Sequence, residues 1–143
     1  MPNNRLPAIF RAIAAACTDV TGIASAYPLP AELPTELTIM VMGSSIDLGR
    51  TGNEQQWLIT ARALMAIPMT GEIGAAAEAA DTAVPELADA FDPSSAHFRL
   101  GGLVNRCALT RVNLYQEFTI AGHRFLGHEL LWDVKAHRFA GDA

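Results

Sequence analysis

The segment FTIAGHRFLGHELLWDVKAHR, Phe118 to Arg138, holds three of the four histidines of the chain together with Glu129 and Asp133. It is therefore either a metal or catalytic site, or ordinary β-structure with histidines distributed along it. Side chains of a strand alternate between its two faces. Apolar residues recur at alternate positions on both sides of Gly122, a pattern that predicts a β-hairpin. The even-numbered apolar positions are Val112, Leu114, Phe118 and Ile120 in the first strand and Leu126, Leu130, Trp132 and Val134 in the second.

The register of this hairpin depends on its connection. Both apolar faces join one core only if even residues pair with even, which needs an odd-length connection such as Ala121–His123. A two-residue connection would turn the apolar residues of the two strands to opposite faces of the sheet, unless a β-bulge restored the alternation. The odd-length register predicts three pairs: Leu114 with Leu130, Val112 with Trp132, and Phe118 with Leu126.

In that register the histidines are too far apart to act together. His128 lies opposite Gln116 on the apolar face, His123 lies in the turn, and His137 lies several strand steps away at about 3.3 Å each. Zinc ligands must lie about 2 Å from the metal, so these side chains do not share an ion. We expect His128 to be a core histidine that bonds to Gln116 or to backbone, with the two acids on a solvated outer face.

Two further strands precede this hairpin in the sequence. The segment LTIMVMG, Leu37–Gly43, is apolar on both faces and predicts a strand that is buried on both. The segment QQWLITARALMAIPM, residues 55–69, has one apolar face, and Ile23–Tyr27 could be a short additional strand. The apolar face of the long strand comprises Trp57, Ile59, Ala61, Ala63, Met65 and Ile67.

Two helices complete the expected elements. Near the N-terminus, helical spacing of apolar residues predicts an amphipathic helix of about three turns that ends before the segment TDVTG. A second stripe keeps its phase across Pro85, which favours one bent helix over two. The first stripe comprises Leu6, Ile9, Phe10, Ile13 and Cys17, and the second comprises Ile73, Ala77, Ala80, Val84, Leu87 and Phe91. The order of elements predicts a single α+β domain over residues 1–143, with an antiparallel or mixed sheet and two helices packed on one of its faces.

The segment GSSIDLGRTGNE, Gly43–Glu54, is expected to be a long polar loop between two strands, and loops of this length are often functional. Arg50 lies between glycines, which is compatible with a solvated tip or with a loop that orders on a partner. Ser44 and Ser45 follow a strand and could act as nucleophiles with a histidine, although no spacing ties them to one. The sequence contains no GxSxG, Walker A or GxGxxG motif.

Composition narrows the class of protein further. Half of the 143 residues are apolar, 17% are charged, and the net charge is −5 with dispersed basic residues, so tight nucleic-acid binding is not expected. Cys17 and Cys107 lie in apolar contexts and are interpreted as buried free thiols, with a disulfide left open. Arg11 interrupts the first apolar stretch, so a signal peptide is not expected there, and no apolar run is long enough to predict a membrane span. No metal, cofactor or catalytic constellation is predicted, and the pattern is typical of an assembly protein.

The layout also resembles a known family. An amphipathic helix precedes YPLPAELP, a strand that ends in glycine and WLITARALMAIP, and these are followed by an alanine-rich helix with VPELADAF and the closing hairpin. This layout resembles the tail terminator proteins of long-tailed bacteriophages and related gene-transfer particles. The resemblance covers nearly the whole chain and is one of layout, since the family has no invariant catalytic signature.

The resemblance implies a structural virion protein and not an enzyme. Such proteins are assembled in the host cytoplasm and form a hexameric ring on the head-proximal end of the tail tube. They stop tube polymerisation and present a surface to the head-completion protein, while DNA passes through the lumen without specific binding. By position, the loop that reaches an adjacent subunit or the tube would comprise Gly49, Arg50, Thr51, Gly52, Asn53 and Glu54. Another neck protein, such as a head-closure, connector or minor tail protein, is the alternative, and a small hydrolase using Ser44 or Ser45 is an alternative from a different class.

Overall fold

The computed structural model describes residues 5–30, 32, 34–51, 54–68, 72–120 and 122–139. The predicted α+β class is confirmed: a five-stranded mixed sheet of order β1-β2-β3-β5-β4 carries two α-helices on one face. Strand β1 pairs parallel with β2, and the other neighbours pair antiparallel. The elements are α1 (Arg5–Thr21), β1 (Ala24–Ala26), β2 (Thr38–Thr51), β3 (Glu54–Ile67), α2 (Ile73–Ala90), a 3₁₀ segment (Ala96–Gly102), β4 (Arg106–Ile120) and β5 (His123–Phe139).

The main core lies between the sheet and the helices. All six odd-numbered residues predicted to form the apolar face of β3 are buried, and Ile39 and Val41 of β2 lie beside them. β5 contributes Leu130, Trp132 and Val134, so its even positions face the helices as expected. Because three adjacent strands present an apolar face of alternate residues, the helices can bury one continuous surface.

Both helices form, with differences at their ends. α1 runs to Thr21 and includes the TDVT segment that was expected to lie outside it; the Thr21 hydroxyl donates to the Cys17 carbonyl within the last turn. α2 continues through Pro85 as one helix, as predicted. Its buried stripe is shifted from the prediction, because Ile73 is exposed and Val84 only half-buried. The buried residues of α2 are Ala80, Ala83, Leu87 and Ala90.

The predicted register of the β4–β5 hairpin is wrong. Ile120 pairs with His123, so two residues separate the strands where three were expected. β4 has two irregularities, a first between Leu109 and Arg111 and a second between Asn113 and Gln116. Counted from the turn, the extra residue at the second restores the pairing of even with even residues, and the extra residue at the first reverses it again. The observed partners are Val112 with Leu130, Leu109 with Trp132 and Phe118 with Phe125, in place of the three predicted pairs.

The second irregularity divides the apolar residues of β4 between two cores. Val112 packs in the main core, whereas Phe118 and Ile120 pack on the opposite face of the sheet, and Leu114 is exposed. The small core on that opposite face is built around the buried side chains Met40, Leu64, Ala66 and Phe125. The expectation that all even positions of β4 share one face fails because each extra residue in a strand reverses the side-chain alternation beyond it.

Gly127 lies on β5 beside the second irregularity. A Cβ at this position would lie 2.4 Å from the Met65 carbonyl oxygen, closer than any real side chain approaches backbone. The Arg62 guanidinium lies 5.4 Å from the centre of the Phe118 ring. Their partners on β5, Leu131 for Arg62 and Phe125 for Phe118, are six residues apart, so a flat sheet would hold the two side chains far from each other. The turn end of the β4–β5 hairpin therefore bends toward the face of the sheet opposite the helices. Gly127 permits the close approach of β3 and β5 that this bend requires.

The prediction that Gly43–Glu54 forms a polar loop is also wrong. β2 continues to Thr51 and β3 begins at Glu54, with Thr51 and Glu54 themselves paired. The segment was interpreted as a loop because of its three glycines and polar residues, yet Ile46 and Leu48 continue the alternation of a strand. Gly52 and Asn53 lie outside the described residues.

The two cysteines are buried free thiols, as the sequence analysis favoured. Burial raises the pKa of Cys17 to about 12, and it also raises the pKa of Cys107. Within the described part of the chain, neither helix is long and apolar enough to cross a membrane.

Candidate interaction surface

The two-stranded segment formed by residues 46–51 of β2 and 54–59 of β3, here called the distal hairpin, carries exposed apolar side chains. Ile46 and Leu48 pair with Ile59 and Trp57 and so face the helical side of the sheet. Ile59 and Trp57 are buried, but Leu48 is 64% exposed and Ile46 is also exposed. The helices therefore cover the β3 side of this face and leave the β2 side open.

The base of the distal hairpin is fixed by a close contact with α1. The Phe10 ring lies against Gly43, where a Cβ would be 2.8 Å from the ring. The register shifts between Gly43 and Ser45, so that one extra residue is inserted in β2 at this point. The glycine allows α1 to pack directly on β2, and the irregularity sets which side chains of the following residues face the helices.

Leu58 is exposed on the other face of the same hairpin, opposite Asp47. The distal hairpin thus has apolar residues on both faces. β1 pairs with β2 only at Thr38–Met40, and no described strand pairs with the outer side of β2 beyond that point. Unpaired backbone groups beside exposed apolar side chains are the features of a sheet edge that can accept another chain.

The residues predicted to reach a partner lie at the end of this hairpin. Gly49 is exposed, and Arg50 and Thr51 are the last residues of β2, while Glu54 is the first of β3. Arg50 of β2 pairs with Gln55 of β3. On its other side β3 pairs with β5 as far as Glu54, which lies opposite Phe139. The described residues of the predicted segment, Gly49–Thr51 and Glu54, therefore belong to paired strands.

Ser44 and Ser45 line a shallow pocket with residues of α1 and β3. The other described lining residues are Leu6, Phe10, Gly43, Ile46 and Ile59, and none of these is a histidine or an acid. His128 pairs with Met65, five residues along β3 from the Thr60 partner of Ser45, which corresponds to about 16 Å. His128 is therefore too far from the two serines to accept a proton from either hydroxyl.

His128 is fully buried and occupied on both ring nitrogens. Its Nδ1 accepts the Tyr115 backbone N–H at 3.1 Å, so Nε2 carries the proton and donates to the Asp81 carboxylate at 2.8 Å. The backbone bond was one of the two predicted partners; the other, Gln116, donates instead to the Leu114 carbonyl. With no free nitrogen, His128 is placed to link elements and not to act as a base.

Asp81 is the partner that the sequence analysis missed. It lies on the exposed side of α2 and also accepts the Tyr115 hydroxyl at 2.7 Å. The hydrogen bonds from Tyr115 and then His128 lower the pKa of Asp81, and the bond to Asp81 raises the pKa of Tyr115. Tyr115 has a positive φ of 52° within the second irregularity of β4, so the cluster joins α2 to the point where the sheet bends.

A second polar group lies on the face of the sheet opposite the helices. Glu129 accepts from Arg62 at 2.5 Å and from Asn113 at 2.7 Å, so it is not the fully solvated acid that was expected; Asp133 is exposed. Partial burial raises the pKa of Glu129, but hydrogen bonds from Asn113 and Arg62 lower it by more, and the net shift is downward.

Two further histidines lie apart from these groups. His97 lies 3.5 Å from Asp19, and His123 is exposed at the start of β5. Among residues 5–139 with the gaps given above, no three His, Cys, Asp or Glu side chains are grouped so as to hold a metal ion. Neither models of known protein families nor curated protein sequences gave a match to this chain.

Proposed function

We propose that this chain is a tail terminator: a structural virion protein that forms a ring on the head-proximal end of a phage tail tube. The ring stops tube polymerisation and provides the surface to which the head joins. The observation that carries this proposal is the distal hairpin, where Ile46, Leu48 and Leu58 are exposed beside the unpaired edge of β2.

An exposed apolar edge of this kind favours an assembly protein. Native sheets normally protect their edges with charges, proline or a covering element, because an open edge pairs with other chains. Asp47 is the only charged residue between Gly43 and Gly49. A partner that covers this hairpin removes apolar surface from water, which stabilises the complex by roughly 25 cal/mol for each Å² buried.

The two open edges support a ring in particular. The unpaired side of β2 and the outer side of β4 lie at opposite ends of the five-stranded sheet. Contacts between two different surfaces of identical subunits are heterologous, and they generate a closed ring when the rotation between neighbours closes. The resemblance in layout implies six subunits.

The proposed partners follow from the position of the ring. The major tail tube protein contacts one side, and a head-completion protein contacts the other. DNA passes through the lumen without specific binding, as suits a chain with a net charge of −5. The proposal involves no catalysis, and it is supported by the occupied nitrogens of His128 and by the separation of Ser44 and Ser45 from it.

Electron microscopy of particles made with this gene silenced in the parent phage tests the proposal. Overlong, headless tail tubes are expected if the protein stops tube growth. Tails of normal length beside full heads would assign it to head–tail joining, as another neck protein. Intact virions would contradict any function in the neck.

A further inference from the structure

The outer surface of α2 is acidic and lacks compensating cations. The helix Ile73–Ala90 contains no Lys or Arg. Glu78, Glu86 and Asp89 are exposed, and at 3.6 residues per turn they lie within an arc of about 80° on the side away from buried Leu87. Within the described part of the chain, none of the three carboxylates belongs to an ion pair. These three residues are called the acidic surface.

A groove with small side chains runs along this surface. Ala75, Ala79 and Ala83 of α2 line it together with Ile23, and Glu78 and Glu86 lie at its sides. Small apolar side chains leave room for the aliphatic stems of Arg or Lys, whose charged ends can then reach carboxylates. The groove therefore suits long basic side chains in both shape and charge.

The opposite side of the molecule carries the complementary charges. Arg106 and Lys135 are direct cross-strand partners, and Arg111 follows on β4 opposite Leu131. All three lie on the sheet face away from the helices, because Lys135 and Leu131 alternate with the core residue Trp132. Arg106 and Lys135 have no ion pair among the described residues. These three residues are called the basic surface.

Other charged groups near the basic surface reduce its charge without reversing it. Asp133 lies on the same face of β5, and Asp47 lies at the far side of the groove that includes Arg106 and Lys135. Arg62 and Glu129 pair with each other and contribute no net charge. Three cations against Asp133 leave a local excess of two positive charges on the β4–β5 part of the face.

The spacing of the two surfaces matches. Glu86 and Asp89 are three residues apart on a helix, which places their Cβ atoms about 5–6 Å apart, similar to the roughly 5 Å of the Arg106–Lys135 pair. Glu78 lies about 12 Å along the helix axis from Glu86. Arg111 lies about 13 Å along the strands from the Arg106–Lys135 pair, because its partner Leu131 is four residues from Lys135.

We propose that the acidic surface of one copy of this chain docks on the basic surface of the next. The two surfaces lie on opposite sides of the protein, so each copy uses one to bind ahead and the other to bind behind. This inference rests on the proposed ring and adds a pair of charged surfaces to the open sheet edges as contacts between its subunits. Like charges at such a contact repel each other, so charge reversal is a strong perturbation.

Two charge-reversal variants of the full-length chain test the pairing. One carries Glu86→Lys with Asp89→Lys, and the other carries Arg106→Glu with Lys135→Glu. Each variant alone places like charges at every contact, whereas an equal mixture restores opposite charges at every contact in alternating order. A matched control, Glu32→Lys with Glu36→Lys, makes the same change in net charge as the first variant, at exposed positions outside both surfaces. Circular dichroism checks that each variant is folded.

Sedimentation velocity at low salt and native mass spectrometry give the readout. The wild type and the control are expected to self-associate, each variant alone to associate at least about 100-fold more weakly, and the mixture to form complexes with equal numbers of both variants. Association should weaken at 0.5 M salt. Self-association of either variant at wild-type strength would overturn the inference while leaving the ring proposal intact. A mixture that stays monomeric, or a monomeric wild type, would also overturn it, and the tail-length phenotype would then decide the ring proposal separately.

Discussion

Substitution of Gly127 by alanine should destabilise the protein by far more than an exposed glycine-to-alanine change. The new Cβ would lie 2.4 Å from the Met65 carbonyl oxygen and 3.1 Å from its carbonyl carbon. Real Cβ atoms stay at least 3.0 Å from such atoms, so the contact must lengthen by at least 3.0 − 2.4 = 0.6 Å. Because the obstructing atom is backbone in the sheet, this displacement strains the pairing of β3 with β5.

The expected cost is about 2–3 kcal/mol of unfolding free energy, the upper part of the range for overpacking in a core. For a domain of this size it corresponds to a fall in Tm of roughly 5–10 °C. Urea titration and thermal melting, followed by circular dichroism, measure both quantities. Movement of the hairpin end should also loosen the small core around Phe125, which near-ultraviolet circular dichroism would report.

Gly74→Ala is the matched control. Gly74 lies in the first turn of α2, and nothing lies within 4 Å of a Cβ added there. Alanine is the better helix former, so this change should leave stability unchanged or raise it by up to about 1 kcal/mol. A Gly127→Ala protein as stable as the wild type would refute the bend at this residue as the reason for the glycine.

Three further predictions follow from single sites. Glu129→Gln should make the stability of the protein depend less on pH in acid. The lowered pKa of Glu129 contributes stability that is present above its ordinary value of 4.5 and is lost as pH falls through the pKa of the folded state. The urea midpoint should therefore change less in the variant than in the wild type between pH 7 and pH 3. An equal loss in both proteins would contradict the role of its hydrogen bonds. Cys17 and Cys107 should resist a thiol reagent at neutral pH until urea unfolds the protein, because both thiols are buried and protonated, and rapid labelling of the native state would contradict this. Leu48→Asp should change the unfolding free energy by less than about 0.5 kcal/mol, because the side chain is exposed, yet it should abolish assembly with tail tubes in co-sedimentation. Assembly at the wild-type level would remove the distal hairpin from the interface.

The β3 strand and α1 could be predicted because their apolar residues repeat with one uninterrupted period. In β3 every second residue from Trp57 to Ile67 is apolar. The apolar stripe of α1 depends only on the spacing of residues within one helix. The β4–β5 hairpin could not be placed in this way. Two extra residues in β4 change which face its side chains occupy, and nothing local in the sequence distinguishes an irregular strand from a regular one with a longer turn.

The candidate site was predicted unevenly for similar reasons. His128 was expected in the core with a backbone partner, since an isolated histidine among apolar residues must have its polar atoms satisfied. Its second partner, Asp81, is 47 residues away in sequence and resembles any other exposed acid of α2. The distal hairpin was mistaken for a loop because three glycines and several polar residues outweighed the short alternation of Ile46 and Leu48.

The central claim, that this protein stops tube growth, can be measured on purified components. The tail tube protein of the parent phage is polymerised with increasing amounts of this chain, and tube lengths are measured by electron microscopy. The account predicts that mean tube length falls as the chain is added, with a ring visible at one end, and that Leu48→Asp protein has no effect. Tubes of unchanged length, with no density at either end, would contradict it.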